Sequence, residues 1–470
     1  LNQKTYQNIL HKHQNHNKFL ELRAKYPYFI FQSYHFERTK HSLKAAFTFN
    51  LSDEFIFKPG IEIPSRSFYN FDKMGDTEID LLVFHIGMVE LVSYWKTSCS
   101  PKVIIEPHAL DSEQIKWWKK LYFHGLGEFF YLNDIHTSQN DFMMISAHGP
   151  KTKPSKVKLD ESKVLLPIGG GKDSIVSLEL LKKGDFEVKP FIVNPREASL
   201  RTIEIGGFTQ DESVIVNRHL DKKLLELNEK GFLNGHTPFS ALLAFISSFT
   251  ALASGTKYIA LSNENSANES TVPGSKINHQ YSKSLEFEDD FAWYINKFIH
   301  PKLYYFSFLR PLNELQIAAI FSKFPQHFFS FRSCNVGSKT DSWCGHCPKC
   351  LFTYTILSPF VKPETLEKIF GANLLDDVSL KPIMDELDGE TAIKPFECVG
   401  TPLEVNASLW HTQQKSVKNL PKLLVLKNQK NQEETFQKLL TNRMAEHRLP
   451  EPFYKIMGQA IDDIAKGTKK

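Results

Sequence analysis

The sequence predicts an α/β protein in which a parallel-sheet domain with a four-cysteine module follows a smaller α+β domain. Three observations predict it. From about residue 163 onward, strand-like runs alternate with helix-like runs, the pattern of a parallel sheet covered by helices. LPIGGGKDS places a glycine loop between such a strand and such a helix. Residues 28–63 instead hold aromatic and β-branched runs with partial alternation, which signal an antiparallel meander.

At 470 residues the chain exceeds one ordinary domain. The expected divisions are an N-terminal α+β domain over 1–155, a parallel-sheet domain over 156–360 and a mostly helical region over 361–470. In the first, YFIFQSYHFE, LKAAFTFNL and EFIFKPGIEI read as strands. EIDLLVFHIGMVELVSYWK (78–96) has helical spacing, PKVIIE is strand-like, and DSEQIKWWKKLYFHGLG reads as a helix capped by Asp111. HGPKTKPSKVKLDES (148–162) reads as a linker. Beyond it, KVLLPI, VKPFIVN and KYIALSN are the strands. SIVSLELLKK, HLDKKLLELNEKG and PFSALLAFISSFTALASG are the helices. The last is interrupted by Ser and Thr, so it reads as a buried helix and not a membrane span, with Thr237 as N-cap and Pro238 at its first position.

The net charge is +4, and the last sixty residues hold twelve Lys or Arg against six Asp or Glu. No aromatic residues interleave with those charges as a nucleic-acid groove requires, so a solvated helical face is expected and nucleic acid is disfavoured as a partner. The opening LNQKTYQNILHKHQ has no apolar signal-peptide core, and a cytoplasmic location is expected.

The glycine loop carries the chemistry. Consecutive glycines let backbone N–H groups converge on an anion at a helix N-terminus. Lys172 supplies charge and Ser174 a hydroxyl, while Asp173 suits orienting a magnesium-bound water. Leu166 and Asp173 break a Walker A pattern, and Ser174 breaks a dinucleotide fingerprint. Gly169-Gly170-Gly171-Lys172-Asp173-Ser174 resembles the PP-loop S-G-G-x-D-S of the ATP pyrophosphatase superfamily, with Gly169 in the place of the first Ser. The resemblance implies an adenine nucleotide alpha hydrolase-like domain that holds the β,γ-pyrophosphate of ATP and releases AMP and pyrophosphate. It also implies that adenine lies near Asn194, at the end of the second strand.

Cys334, Cys344, Cys347 and Cys350 are spaced C-x9-C-x2-C-x2-C. In a reducing compartment this spacing favours a tetrahedral, closed and therefore structural zinc site, with Gly345 permitting the turn and His346 the alternative ligand. Behind a PP-loop it resembles 7-cyano-7-deazaguanine synthase, although this chain has far more sequence on both sides. The polar run at 262–291 begins where a strand ends, the place where open α/β sheets bind ligands. There Glu264, Asn265, Asn268 and Glu269 suit nucleotide, magnesium or substrate. His279, Gln280, Tyr281 and Lys283 suit substrate binding or proton transfer.

LPIGGGKDS, SNENSANES, NHQYSKSLEFE, FRSCNVGSKTDSWCGHCPKCLF and KPFECVGT together resemble the UDP-N-acetylmuramoyl-L-alanyl-L-glutamate epimerase family, over most of residues 160–401. The resemblance implies inversion of a terminal L-glutamate on a UDP-linked muramoyl dipeptide, a peptidoglycan precursor. Adenylation would neutralise the carboxylate, so that the α-carbanion delocalises as an enolate. An acid and a base are then required. His279 and Tyr281 are the leading pair, Lys283 suits the enolate oxygen, and Cys398 in KPFECVGT is a second idea. Cys99 has no supporting context. The alternative activity is another PP-loop adenylating enzyme, deazapurine- or tRNA-modifying.

Overall fold

A computed structural model describes residues 15–66, 71, 74–272, 274, 277–415, 420–427 and 430–467. The strands in chain order are β1 Tyr28–Arg38, β2 Ser42–Leu51, β3 Phe55–Phe57, β4 Gly60–Pro64, β5 Lys102–Ile105, β6 Met144–Ala147, β7 Asp160–Pro167, β8 Glu187–Val193, β9 Val214–His219, β10 Thr256–Leu261 and β11 Tyr304–Ser307. The fold is α/β. The chain forms two compact units. One comprises Leu1–Glu161, Val214–Lys257 and Lys276–Tyr304; the other comprises Ser162–Ser213, Tyr258–Ser275 and Tyr305–Lys470. This division cuts across the three sequence segments: 214–257 and 276–304 group with the N-terminal stretch, and 361–470 with the glycine-loop strands.

In the first unit the strand order is β9-β4-β2-β1-β5-β6, with β3 on β2. The expected meander is present: β1 pairs antiparallel with β2, and β2 with both β3 and β4. β4 continues antiparallel to β9, while β1, β5 and β6 are parallel. Period-two alternation buries Phe29 and Phe31 on one face of β1. Against this face lies the helix Asp76–Trp95, almost wholly buried from Leu81 onward. Its closest approach is at Gly87, where an added Cβ would stand 2.4 Å from the Phe31 ring. The helix Ser112–Gly125 starts at a capping box in which Asp111 accepts from the Gln114 N–H and the Gln114 side chain accepts from the Asp111 N–H. The apolar run at 238–255 is the buried helix Phe239–Ala253. Pro238, not Thr237, is its N-cap, and no side chain caps it. Among the described residues no helix is long and apolar enough to cross a membrane.

In the second unit the strand order is β11-β10-β7-β8, with β7 and β8 parallel and Leu166 opposite Pro190. The helices Lys172–Leu181, Glu314–Phe321 and Pro348–Leu357 share one core with the C-terminal helices. The Asn313 side chain donates to the Leu439 carbonyl, and Gln316 donates to Leu440 and Asn442. Phe453, on the helix Glu451–Gly467, stacks on Phe186 with ring centres 4.2 Å apart and meets Tyr258 edge-on at 5.0 Å. The basic tail is partly neutralised: Arg443 pairs with Asp462, and Lys427 is buried among Asp385, Asp388 and Glu390.

Candidate active site

The apolar run VLLP is buried between β10 and the parallel β8, so β7 delivers the loop at 168–171 to the edge of the second unit's core. Ile168 still donates to the Phe191 carbonyl. The amides of Gly169, Gly170 and Gly171 donate to no acceptor among the described residues. The helix Lys172–Leu181 follows at once, with Gly171 as its N-cap. Three open amides before a helix N-terminus form an anion cradle.

Each glycine differs. Gly170 has φ +83, and a Cβ there would meet the Ala198 and Ser199 backbone at 2.7 Å. Gly169 has open space where its Cβ would be. The loop is braced from outside: the Arg332 N–H donates to the Gly170 carbonyl, and the Arg196 guanidinium to the Gly169 carbonyl. A cavity of about 380 Å³ borders it, lined by Glu197, Arg201, Phe329, Ser330, Arg332 and Asp341. Asn194, just past β8, is exposed and sits in the left-handed region at φ +51.

The side chains of the loop engage neighbouring protein groups. The Lys172 ammonium is buried against the carboxylates of Asp173 and Glu314, which hold its pKa well above that of a free lysine against the cost of burial. The Ser174 hydroxyl donates to the Gly171 carbonyl at 2.9 Å and so closes the first turn. Behind Lys172 lie three buried glutamates. Glu264 accepts from the amide and hydroxyl of Ser266. Glu404 accepts from the amides of Glu314 at 2.7 Å and Thr401 at 2.6 Å. Burial first, then the Glu314 charge, raises Glu264 to about 8 and Glu404 to about 7; burial raises Glu314 above an ordinary glutamate against Lys172, with Asp173 adding to it. Glu314 and Glu404 were invisible in the sequence, where each reads as the first-turn acid of a helix. KPFECVGT closes over this cluster. Lys349 donates to the Cys398 carbonyl, and a Cβ on Gly400 would touch Glu404 and Glu314. Cys398 is half-buried in that loop.

Cys334, Cys344, Cys347 and Cys350 converge, their Sγ atoms within 4.8 Å of one another. Cys334–Cys347 and Cys344–Cys350 are 3.7 Å apart and Cys347–Cys350 3.5 Å. These distances far exceed a disulfide bond of about 2.05 Å. They match the edge of roughly 3.8 Å expected for a tetrahedron with zinc–sulfur bonds of about 2.3 Å. Gly345 makes the turn at φ +75, and His346 is exposed outside the group.

The polar run divides between the units. Glu264, Asn265, Asn268 and Glu269 belong to the second, where Glu269 pairs with Lys394 at 2.8 Å. His279, Gln280, Tyr281 and Lys283 belong to the first. There the His279 Nδ1 lies 2.5 Å from Glu128 Oε2, and the His236 Nδ1 lies 3.5 Å from that same oxygen. The two imidazole centres are 4.7 Å apart. Tyr281 is buried, packs on His124 at 5.0 Å and meets Phe287 edge-on. Burial, then the charges of Asp290 and Glu286, holds its hydroxyl far above the usual phenol range and so keeps it protonated. The Gln280 amide donates to the Asn278 side chain. Cys99 is fully buried and at φ +53, a core residue. A cavity of about 320 Å³ adjoins Glu128, lined by Phe123, His124, Gly127, Phe130, Tyr131 and Ile277 among others.

Residues 21–308 match the family model of the MurL N-terminal domain, and residues 330–442 that of the MurL C-terminal domain. The chain is similar to the UDP-N-acetyl-alpha-D-muramoyl-L-alanyl-L-glutamate epimerase of Xanthomonas oryzae pv. oryzae, 35% identical over 69% of this chain and 72% of that protein. It is similar to the proteins of that same name in Salinispora tropica, 36% identical over 66% of this chain and 68% of the relative, and in a Micromonospora species, 33% identical over 67% and 71%. No solved structure matches.

Proposed function

The chain belongs to the family of UDP-N-acetyl-alpha-D-muramoyl-L-alanyl-L-glutamate epimerases, and from that premise we propose that it inverts the terminal L-glutamate of this UDP-linked dipeptide to D-glutamate at the expense of ATP, in peptidoglycan precursor synthesis. The observation that carries the reading is the glycine cradle: three open amides at a helix N-terminus, with a buried carboxylate group behind Lys172. The cradle suits the outgoing diphosphate of ATP when a substrate carboxylate attacks the α-phosphorus. AMP and pyrophosphate are then the products, with a mixed anhydride between.

The residues act as follows in this reading. Gly169, Gly170 and Gly171 bind the pyrophosphate through N–H groups. Lys172 holds Asp173 and Glu314 in place and keeps their charge beside the cradle. Asp173, part-exposed beside Lys172, would orient a magnesium-bound water at the cradle. Magnesium would neutralise the transferring phosphates. Zinc fits the four thiolates and would leave no coordination position for substrate, so its service is structural. Asn194 marks the adenine side at the end of β8. Activation removes the negative charge that makes a carboxylate's α-proton so weakly acidic. His279 then exchanges the proton, and Lys283 offsets the enolate charge. The UDP-muramoyl dipeptide is the small-molecule partner.

Incubating the protein with magnesium-ATP and UDP-N-acetylmuramoyl-L-alanyl-L-glutamate should give D-glutamate on chiral analysis and AMP, with no ammonia source. Formation of ADP and orthophosphate, or intact ATP beside the substrate, overturns the reading.

A further inference from the structure

The sequence reading stops at His279; the structure supplies what holds it. Glu128 opens the short helix Gly127–Leu132, directly after the helix Ser112–Gly125, and its carboxylate is nearly covered. Its Oε2 lies 2.5 Å from the His279 Nδ1, both side chains being little more than a tenth exposed. A hydrogen bond this short to a covered carboxylate decides the tautomer. Nδ1 carries the proton, Nε2 carries the lone pair, and an imidazolium formed by proton uptake at Nε2 is stabilised by the opposite charge. His236 closes the other side of the same oxygen, 3.5 Å away, and Lys283 and Lys96 act on it from neighbouring elements. Burial, the charges of His279, Lys283 and Lys96, and only Glu128 in opposition hold His236 down to about 4. His236 therefore stays neutral near pH 7 and leaves the Glu128 charge to His279. The three groups could be read as a metal site, since their ligand atoms lie within 4.8 Å of one another. Two features argue against it: Nδ1 and Oε2 at 2.5 Å share a proton with no room for an ion between them, and two lysines repel one.

We propose that Glu128 is the positioning residue of the epimerisation, fixing His279 with Nδ1–H toward its carboxylate so that Nε2 moves the α-proton of the glutamyl residue. The inference rests on the epimerase reading above. In the step, the Cα–H bond breaks and its proton passes to Nε2. The electron pair moves into the activated carbonyl as an enolate, a proton from solvent re-forms the C–H bond on the opposite face while Nε2 gives its proton up to solvent, and water cleaves the mixed anhydride to release AMP.

The test uses the full chain in D₂O with magnesium-ATP and substrate, measuring deuterium at the glutamyl Cα, AMP formed and the pH profile of kcat/KM. In E128Q, the ratio of Cα deuterium to AMP should fall at least about 100-fold. Loss of the carboxylate also lowers the proton affinity of His279, so the acid limb of the profile should move to lower pH. E128D should recover part of both, and H279Q should lose the exchange in a folded chain with an unchanged melting curve. Unchanged exchange and an unmoved acid limb in E128Q overturn the proposal. So does a Co²⁺ equivalent that binds the C347S variant and is lost on adding E128Q, which would make the trio a metal site. Failure of the epimerase reading looks different: the wild-type chain itself then makes no AMP and no D-glutamate, and a Nε2–H tautomer of His279 by ¹⁵N NMR would still overturn the positioning role.

Discussion

Gly169 and Gly170 are neighbours with opposite constraints. Gly170 is confined by a left-handed φ and by the Ala198–Ser199 backbone 2.7 Å away; Gly169 faces open space. G170A should therefore lose about 1–3 kcal/mol of stability and its AMP formation, measured by thermal melting and nucleotide analysis. G169S should melt within about 0.5 kcal/mol of the parent and keep its activity, since a serine hydroxyl has room there. The buried glutamates make a second expectation. Glu404 and Glu264 keep their protons to about pH 7 and 8, against 4.5 in an unfolded chain. The stability they contribute is full below about 4.5 and is lost as pH rises through 7 and then 8. In magnesium-free buffer the melting temperature should fall over that window, and E404Q should flatten the fall. The order of strand, glycine loop and helix was legible because a glycine run between two apolar runs marks a turn. Glu314, Glu404 and Glu128 were not, since a glutamate at a helix start looks the same whether solvent or a buried charge faces it.

Among the elements, those whose burial has a period announced themselves. β1, β2 and β4 alternate, the helix Ser112–Gly125 opens on a capping box, and β7 is a continuous apolar run. β9, VIVNRH, was not recognised, because only its first half is apolar and its role is to pair with β4, a partner about 150 residues away. The short β6 escaped for a similar reason: its four residues gain their identity from parallel pairing with β5. The cysteine module is the element whose convergence the spacing announced most directly. The helix Pro348–Leu357 begins within it, so its N-terminal dipole lies beside Cys347 and Cys350 and favours thiolate. Metal analysis of the purified chain should give about one zinc per chain, falling to near zero in C347S with a melting point several degrees lower.

At the scale of the whole molecule, the C-terminal region is the finding the sequence handled least well. The sequence marks it only as mostly helical, yet its helices complete the core of the second unit. Phe453 is fully buried among Phe186, Tyr258 and Phe306. F453A should cost about 3–5 kcal/mol, and removal of residues 443–470 should leave an aggregating protein by size-exclusion chromatography, because those three rings lose their cover. Such a partner, far along the chain, leaves no local pattern for a window of sequence to detect. The same holds for the first unit, where β4 pairs with a strand encoded beyond the glycine loop. That interleaving bears on biosynthesis. A nascent chain paused near residue 210 would already contain β4 while its neighbour β9 had yet to be translated, and the glycine loop would exist without the aromatic cap supplied by Phe453. The first unit is fully encoded by residue 304, whereas the second also needs Phe453, so the first can close while the second still awaits its last helices.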